Sequence, residues 1–156
     1  MSLDTYIQHL QNVPLFDGFT QEQLRLIVFG AEPRKVRAGK TLFQQDDLLL
    51  GGYIVLSGQI DFVQYSGSEE NLVETYGTGQ LIGELALVSA YKGAANAVGV
   101  VETELLFISR DLFLKLLGEY PELANLLLER IQYNVDKTIN KLSHIQSKLD
   151  RIPNLS

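Results

Sequence analysis

Apolar residues at Leu3, Ile7 and Leu10 lie three and four apart, the spacing of one helix face. Pro14-Leu15-Phe16-Asp17-Gly18-Phe19 then interrupts the pattern with breakers. Thr20 and Gln23 have the spacing of a capping box, and Phe19 with Leu24 that of a hydrophobic staple. A second helix is therefore expected from Gln21 to about Phe29, with Leu24, Ile27 and Val28 turned inward. From Arg34 to Ser109 the period changes toward two. Strands are expected at Pro33–Val36, Thr41–Phe43, Gly52–Leu56, Gln59–Tyr65, Asn71–Tyr76, Asn96–Val101 and Glu104–Ile108. Turns containing glycine separate most of them, the signature of an antiparallel sandwich or barrel.

Helical spacing returns at Ser109, a suitable N-cap for Arg110–Leu117, with Gly118 as the expected stop. Pro121 suits the first turn of another helix, which the pattern carries to about Arg151. Along it Leu128, Ile131, Val135, Thr138, Leu142, Ile145, Leu149 and Ile152 alternate by three and four. This is a heptad seam, with the first, third, fifth and seventh of these at a and the others at d, and it predicts a parallel homodimer through the C-terminal helix. The competing reading folds that helix back onto its own domain.

Length and composition narrow the class. The chain has 156 residues, of which 46% are hydrophobic and 21% charged, as in an ordinary single globular domain. No apolar run is long enough for a membrane span, and Met1-Ser2-Leu3-Asp4-Thr5 lacks the pattern of a secretory signal. With no cysteine there is neither a disulfide framework nor a thiolate metal site, and a cytoplasmic protein is expected. Thirteen Lys and Arg stand against 19 Asp and Glu, a net charge of −6. Phosphate-backbone binding draws on a positive surface, so direct DNA binding is not expected. The one basic stretch, Arg34-Lys35-Val36-Arg37 with Lys40, reads as a solvated strand edge. His9 and His144 have no metal-ligand partners at helical spacing, and no nucleophile stands beside a base. An enzyme is not expected.

The most informative segment is Leu81-Ile82-Gly83-Glu84-Leu85-Ala86-Leu87, followed by Lys92-Gly93-Ala94-Ala95-Asn96-Ala97. It resembles the phosphate-binding cassette of cyclic-nucleotide-binding domains, the family of catabolite activator proteins and of the regulatory subunits of cyclic-AMP-dependent protein kinase. The turns at Ala38–Phe43, Tyr53–Gly58 and Tyr76–Gln80 are similar to those of the same family. The resemblance implies an α+β, mainly β fold: an antiparallel β-roll or double-stranded jelly-roll over about 33–108. N-terminal helices precede the roll, and a dimerisation helix follows over about 121–151. Together they form a single domain over 1–156.

The resemblance also implies roles. A Gly-Glu-Leu-Ala turn opens a short helix whose N–H groups hold the cyclic phosphate, its glutamate takes the ribose hydroxyl, and an arginine before Ala-Ala grips a phosphate oxygen. Glu84, Ala94 and Ala95 match, but Gly93 stands where the arginine is expected. A helix N-terminus still favours an anion, and Lys92 offers charge without arginine's planar fork. The expected ligand residues are Ile82, Gly83, Glu84, Leu85, Ala86, Lys92, Gly93, Ala94, Ala95 and Asn96. No cofactor is expected, and the candidate ligand is cyclic AMP (cAMP) or cyclic GMP (cGMP). Two readings stay open: a regulatory sensor module with weakened or altered ligand binding, acting on a downstream protein, or a ligand-free dimeric interaction module that keeps only the fold.

Overall fold

The computed structural model describes residues 2–132. Helix α1 (Leu3–Gln11) is capped by the Ser2 hydroxyl, which accepts from the Thr5 N–H, and it buries Ile7 and Leu10. A 3₁₀ turn, Pro14–Phe16, leads to α2 (Gln21–Gly30). The expected capping box is formed on α2, with the Gln23 N–H donating to Thr20 Oγ1 and the Thr20 N–H to Gln23 Oε1. Ten strands come next: β1 (Glu32–Val36), β2 (Thr41–Phe43), β3 (Leu48–Leu49), β4 (Gly51–Ser57), β5 (Gln59–Ser66), β6 (Glu69–Gly77), β7 (Leu81–Ile82), β8 (Tyr91–Lys92), β9 (Asn96–Gly99) and β10 (Thr103–Ser109). Helix α3 (Arg110–Glu119) is capped by Ser109, and residues 121–132 are again helical (α4).

All strand pairings described are antiparallel. One sheet has the order β1-β10-β4-β7, a second β2-β9-β5-β6, and β3 pairs with β8. Strand alternation sorts the buried residues into two cores. Val36, Val55, Ile82 and Leu105 from the first sheet meet Phe43, Ile60 and Ala97 from the second inside the roll. Their neighbours Ile54, Leu56, Leu106 and Ile108 face the other way, onto the helices. The central strands β4 and β10 are thus buried on both faces, which is why they read as near-continuous apolar runs.

The helical layer closes the second core, with Phe16 at 5.2 Å from Phe19 and 6.0 Å from Phe113 between ring centroids. Leu123, Leu127 and Ile131 of α4 belong to this core, and Arg130 Nη1 donates to the Leu15 carbonyl at 2.8 Å. Ile131, a d position of the expected seam, is therefore buried against its own chain, while Leu128 is exposed. The remaining seam positions, Val135, Thr138, Leu142, Ile145, Leu149 and Ile152, and His144, lie outside the described residues.

Two expectations need correction. Gly118 does not end α3; the helix runs to Glu119. The stop comes from Pro121, whose ring disfavours helical backbone at the preceding residue, and Tyr120 accordingly has φ −127° and ψ 75°. The Asn96–Val101 strand ends at Gly99, where the chain turns into β10.

On β1 the basic residues are matched by acids: Arg34 to Glu32 at 2.6 Å, and Lys35 to Glu102 and Glu104 at 3.8 and 4.0 Å. Among the described residues no helix is long and apolar enough to cross a membrane.

Candidate functional site

The cassette begins at Gly83, whose φ of +83° is a left-handed conformation that glycine adopts without strain. One 3₁₀ turn, Glu84–Leu87, continues from it, with the Ala86 N–H donating to the Gly83 carbonyl at 3.0 Å. A turn this short has little macrodipole, so any anion here is held by individual N–H groups and side chains rather than by a helix field. Gly83, not Glu84, occupies the capping position. Ala86 faces the roll interior and Leu87 the helical core, so the turn forms a bridge between them. At its far end Arg110, the first residue of α3, donates from Nη1 to the Ser89 carbonyl at 2.9 Å and from its N–H to the Leu50 carbonyl at 2.8 Å.

The second half of the cassette is held from both sides. The Asp46 N–H donates to the Gly93 carbonyl, and the Gly93 N–H to the Asp47 carbonyl, at 2.8 and 2.9 Å. Asn96 Oδ1 accepts from the Gln45 N–H at 2.6 Å, and Gln64 Nε2 donates to the Ala94 carbonyl at 2.9 Å. Asn96 thus braces the loop with its side-chain oxygen. On β8, Tyr91 packs toward the roll interior and Lys92 is exposed, as strand alternation requires. Lys92 consequently projects away from the inner face. Position 93 is the inward one: a Cβ there would lie 3.0 Å from the Phe43 ring and 3.2 Å from the Gln44 carbonyl oxygen. Phe43 fills the space beside the glycine.

Of the ten residues expected to bind ligand, Ile82, Ala86 and Ala95 bury their side chains completely and present only backbone. Gly83, Glu84 and Leu85 are half-buried, and Ala94 is exposed. Both halves of the cassette adjoin β3: a Cβ on Gly83 would lie 3.6 Å from Leu49, and Lys92 pairs with Leu48 and Tyr91 with Leu49.

The periodicity did not reveal the aromatic row inside the roll. Tyr76 and Phe62 have centroids 4.7 Å apart, Phe62 and Phe43 5.7 Å, Phe43 and Tyr53 6.1 Å, and Tyr53 and Phe107 5.0 Å. The Arg34 guanidinium lies 5.1 Å above Phe107 at the end of the row. At the cassette end, the Tyr76 hydroxyl donates to Glu74 Oε2 at 3.0 Å. Burial pushes the Tyr76 phenol well above its ordinary value, and the charge and hydrogen bond of Glu74, then Glu84 and Tyr91, push the same way. Tyr76 therefore keeps its hydroxyl proton to a higher pH than an ordinary phenol. The signal available in the sequence was the i, i+2 relation of Glu74 and Tyr76 in β6, which puts both on one sheet face. Among the described residues no group of three or more His, Cys, Asp or Glu is arranged to hold a metal ion.

Comparison with known proteins gives a consistent result. The cyclic nucleotide-binding domain family matches residues 33–120. The chain is 32% identical over 144 residues to the cyclic AMP receptor protein of Thermus thermophilus, covering 89% of this chain and 66% of that protein. It is 28% identical over 133 residues to the cAMP-dependent protein kinase regulatory subunit of Colletotrichum orbiculare, covering 85% of this chain and 32% of the subunit. The chain thus spans less than two thirds of these relatives' length. Among solved structures, a cyclic nucleotide-binding-like protein from Brucella abortus matches with a TM-score of 0.67 and 37% identity, over 72% of this chain and 97% of that one.

Proposed function

For this chain, which belongs to the cyclic nucleotide-binding domain family, we propose the role of a regulatory sensor module that takes a cyclic nucleotide at the cassette with reduced affinity and passes the binding event to its C-terminal helix. The observation that supports this reading best is the cassette turn itself. Gly83 is left-handed, the 3₁₀ turn after it bridges the two cores, and half-buried Glu84 lies on the side of the roll lined by Phe62 and Tyr76. In this reading the backbone of Gly83–Ala86 and the 93–95 loop meets the cyclic phosphate, and Glu84 accepts from a ribose hydroxyl. The reduced affinity comes from position 93, where no guanidinium offsets the phosphate charge.

Transmission is a consequence of packing. A shift of the 84–87 turn moves Leu87 in the helical core and pulls on Ser89, which Arg110 clasps. Helix α3 and the start of α4 share that core with the turn, so a ligand that favours one position of the turn favours one placement of the helices. The two chains of a homodimer would pair through the C-terminal helix and present that placement to a downstream protein.

Glu84→Ala is expected to lower cyclic-nucleotide affinity by roughly tenfold or more, the value of a lost hydrogen bond to a charged group. The loss of stability should be smaller than that of a lost helix cap, because Gly83 and not Glu84 is the cap. Calorimetric titration and a melt of the same variant check both. A melt lowered by the roughly 0.5–2 kcal/mol typical of a lost cap, with affinity intact, would assign Glu84 a structural role instead.

A further inference from the structure

We propose that Glu74 selects the purine, and that the site prefers a guanine to an adenine cyclic nucleotide; this inference rests on the cyclic-nucleotide reading of the cassette. The starting point is a row of residues across the second sheet. Strand β9 begins just after the cassette loop, and its Ala97 pairs with Phe62 of β5, which pairs in turn with Glu74 of β6. Two strand spacings, about 10 Å, separate Ala97 from Glu74 along this row. A nucleotide whose phosphate lies at the cassette loop and whose ribose meets Glu84 would extend its base along the row, over Phe62 and toward Glu74. Phe62 and Tyr76, both half-buried, give that base an aromatic surface to pack on.

The chemistry at the end of the row is specific. The side chains of Glu74 and Tyr76 share a face of β6, and the Tyr76 hydroxyl holds one carboxylate oxygen at 3.0 Å. An ionised carboxylate only accepts hydrogen bonds. Guanine offers it two adjacent donors, N1–H and the 2-amino group, a match for a bidentate contact of the kind that makes charge-assisted pairs strong and directional. Adenine offers one donor, its 6-amino group, beside the N1 acceptor, whose lone pair would face a carboxylate oxygen. Glu74 thus favours one base and disfavours the other. Tyr76 acts through Glu74 as a positioning residue, fixing the rotation of the carboxylate so that both oxygens can meet the two donors.

The test is calorimetric titration of the wild type, Gly93→Arg, Glu74→Gln and Tyr76→Phe with cGMP, cAMP and cyclic IMP. Cyclic IMP keeps N1–H and lacks the 2-amino group. Each good bidentate contact discriminates by about ten- to a hundred-fold, so cGMP should bind that much tighter than cAMP, with cyclic IMP between. Glu74→Gln should invert the order, because an amide offers adenine one acceptor and one donor. Tyr76→Phe should shrink the cGMP preference while leaving cAMP affinity nearly unchanged, which a merely structural role would not produce. Equal affinities for cGMP and cAMP in the wild type, or an order unchanged by Glu74→Gln, would overturn this inference and leave the cassette reading standing. Absence of binding by every nucleotide, in the wild type and in Gly93→Arg alike, would overturn both.

Discussion

Gly93→Arg should tighten cyclic-nucleotide binding by at least about tenfold. A forked guanidinium contact to a phosphate oxygen is worth roughly 1.5–3 kcal/mol per charge-assisted bond, and each 1.4 kcal/mol is a decade in affinity. The position suits the change in two respects. It faces the roll interior, where Lys92 does not, and the backbone of Gly93 is not in the left-handed region, so a side chain is conformationally acceptable there. It resists in one respect, because the added Cβ would sit 3.0 Å from the Phe43 ring, closer than ordinary carbon contacts. Phe43 must move aside by a few tenths of an ångström. The double variant Gly93→Arg with Phe43→Leu should therefore bind at least as tightly as Gly93→Arg alone. Titration calorimetry on the three chains decides the matter. Equal affinity in all of them would mean that phosphate is not recognised from position 93.

The second large effect is expected in assembly. Leu142→Asp with Ile145→Asp, one substitution at each kind of seam position, should convert a dimer into a monomer at tens of micromolar. Two carboxylates in a packed helix seam would each have to be desolvated, at a cost of several kcal/mol per ion. Sedimentation equilibrium reads the result directly. The wild type should sediment as a dimer, although leucine at a with isoleucine at d favours higher order in isolated coiled coils. The burial of Ile131 in its own core bears on this expectation. Leu128 is exposed but Ile131 is buried in the helical layer, so a dimer through this helix would have to draw on other seam positions. A wild-type monomer at that concentration contradicts the dimer, and a tetramer shows that the a/d side chains dominate assembly.

Much of the fold could be read from residue spacing. The capping box at Thr20 and Gln23 and the Ser109 cap announce themselves through polar groups that act locally, β5 and β6 through a period near two, and β4 and β10 as short apolar runs. Strands β3, β7 and β8 did not, because two residues carry no period; they exist only through their partners, Leu48 with Lys92 and Ile54 with Leu81. Gly118 misled for a related reason. Its residue type favours a helix end, but the steric effect of Pro121 on Tyr120 sets the actual boundary.

The candidate site was legible in part. Gly83 and Glu84 stood out by resemblance, and Gly83 has the left-handed backbone such a turn needs. The packing of Phe43 against Gly93 links residues fifty positions apart, and no local pattern carries that information. The same holds for the aromatic row from Tyr76 to Phe107, whose members come from β2, β4, β5, β6 and β10. Glu74 was hidden for a different reason: in β6 it looks like any solvent-facing acid, and only the Tyr76 contact and the row through Phe62 give it a setting.

The most direct test of the sensor reading is titration calorimetry of the wild-type chain with cAMP and cGMP over the full range of accessible concentrations. Saturable binding of at least one of them, with one site per chain and lost affinity in Glu84→Ala, is the predicted result. No saturable heat with either nucleotide, and none in Gly93→Arg, would contradict it and leave an interaction module that keeps only the fold.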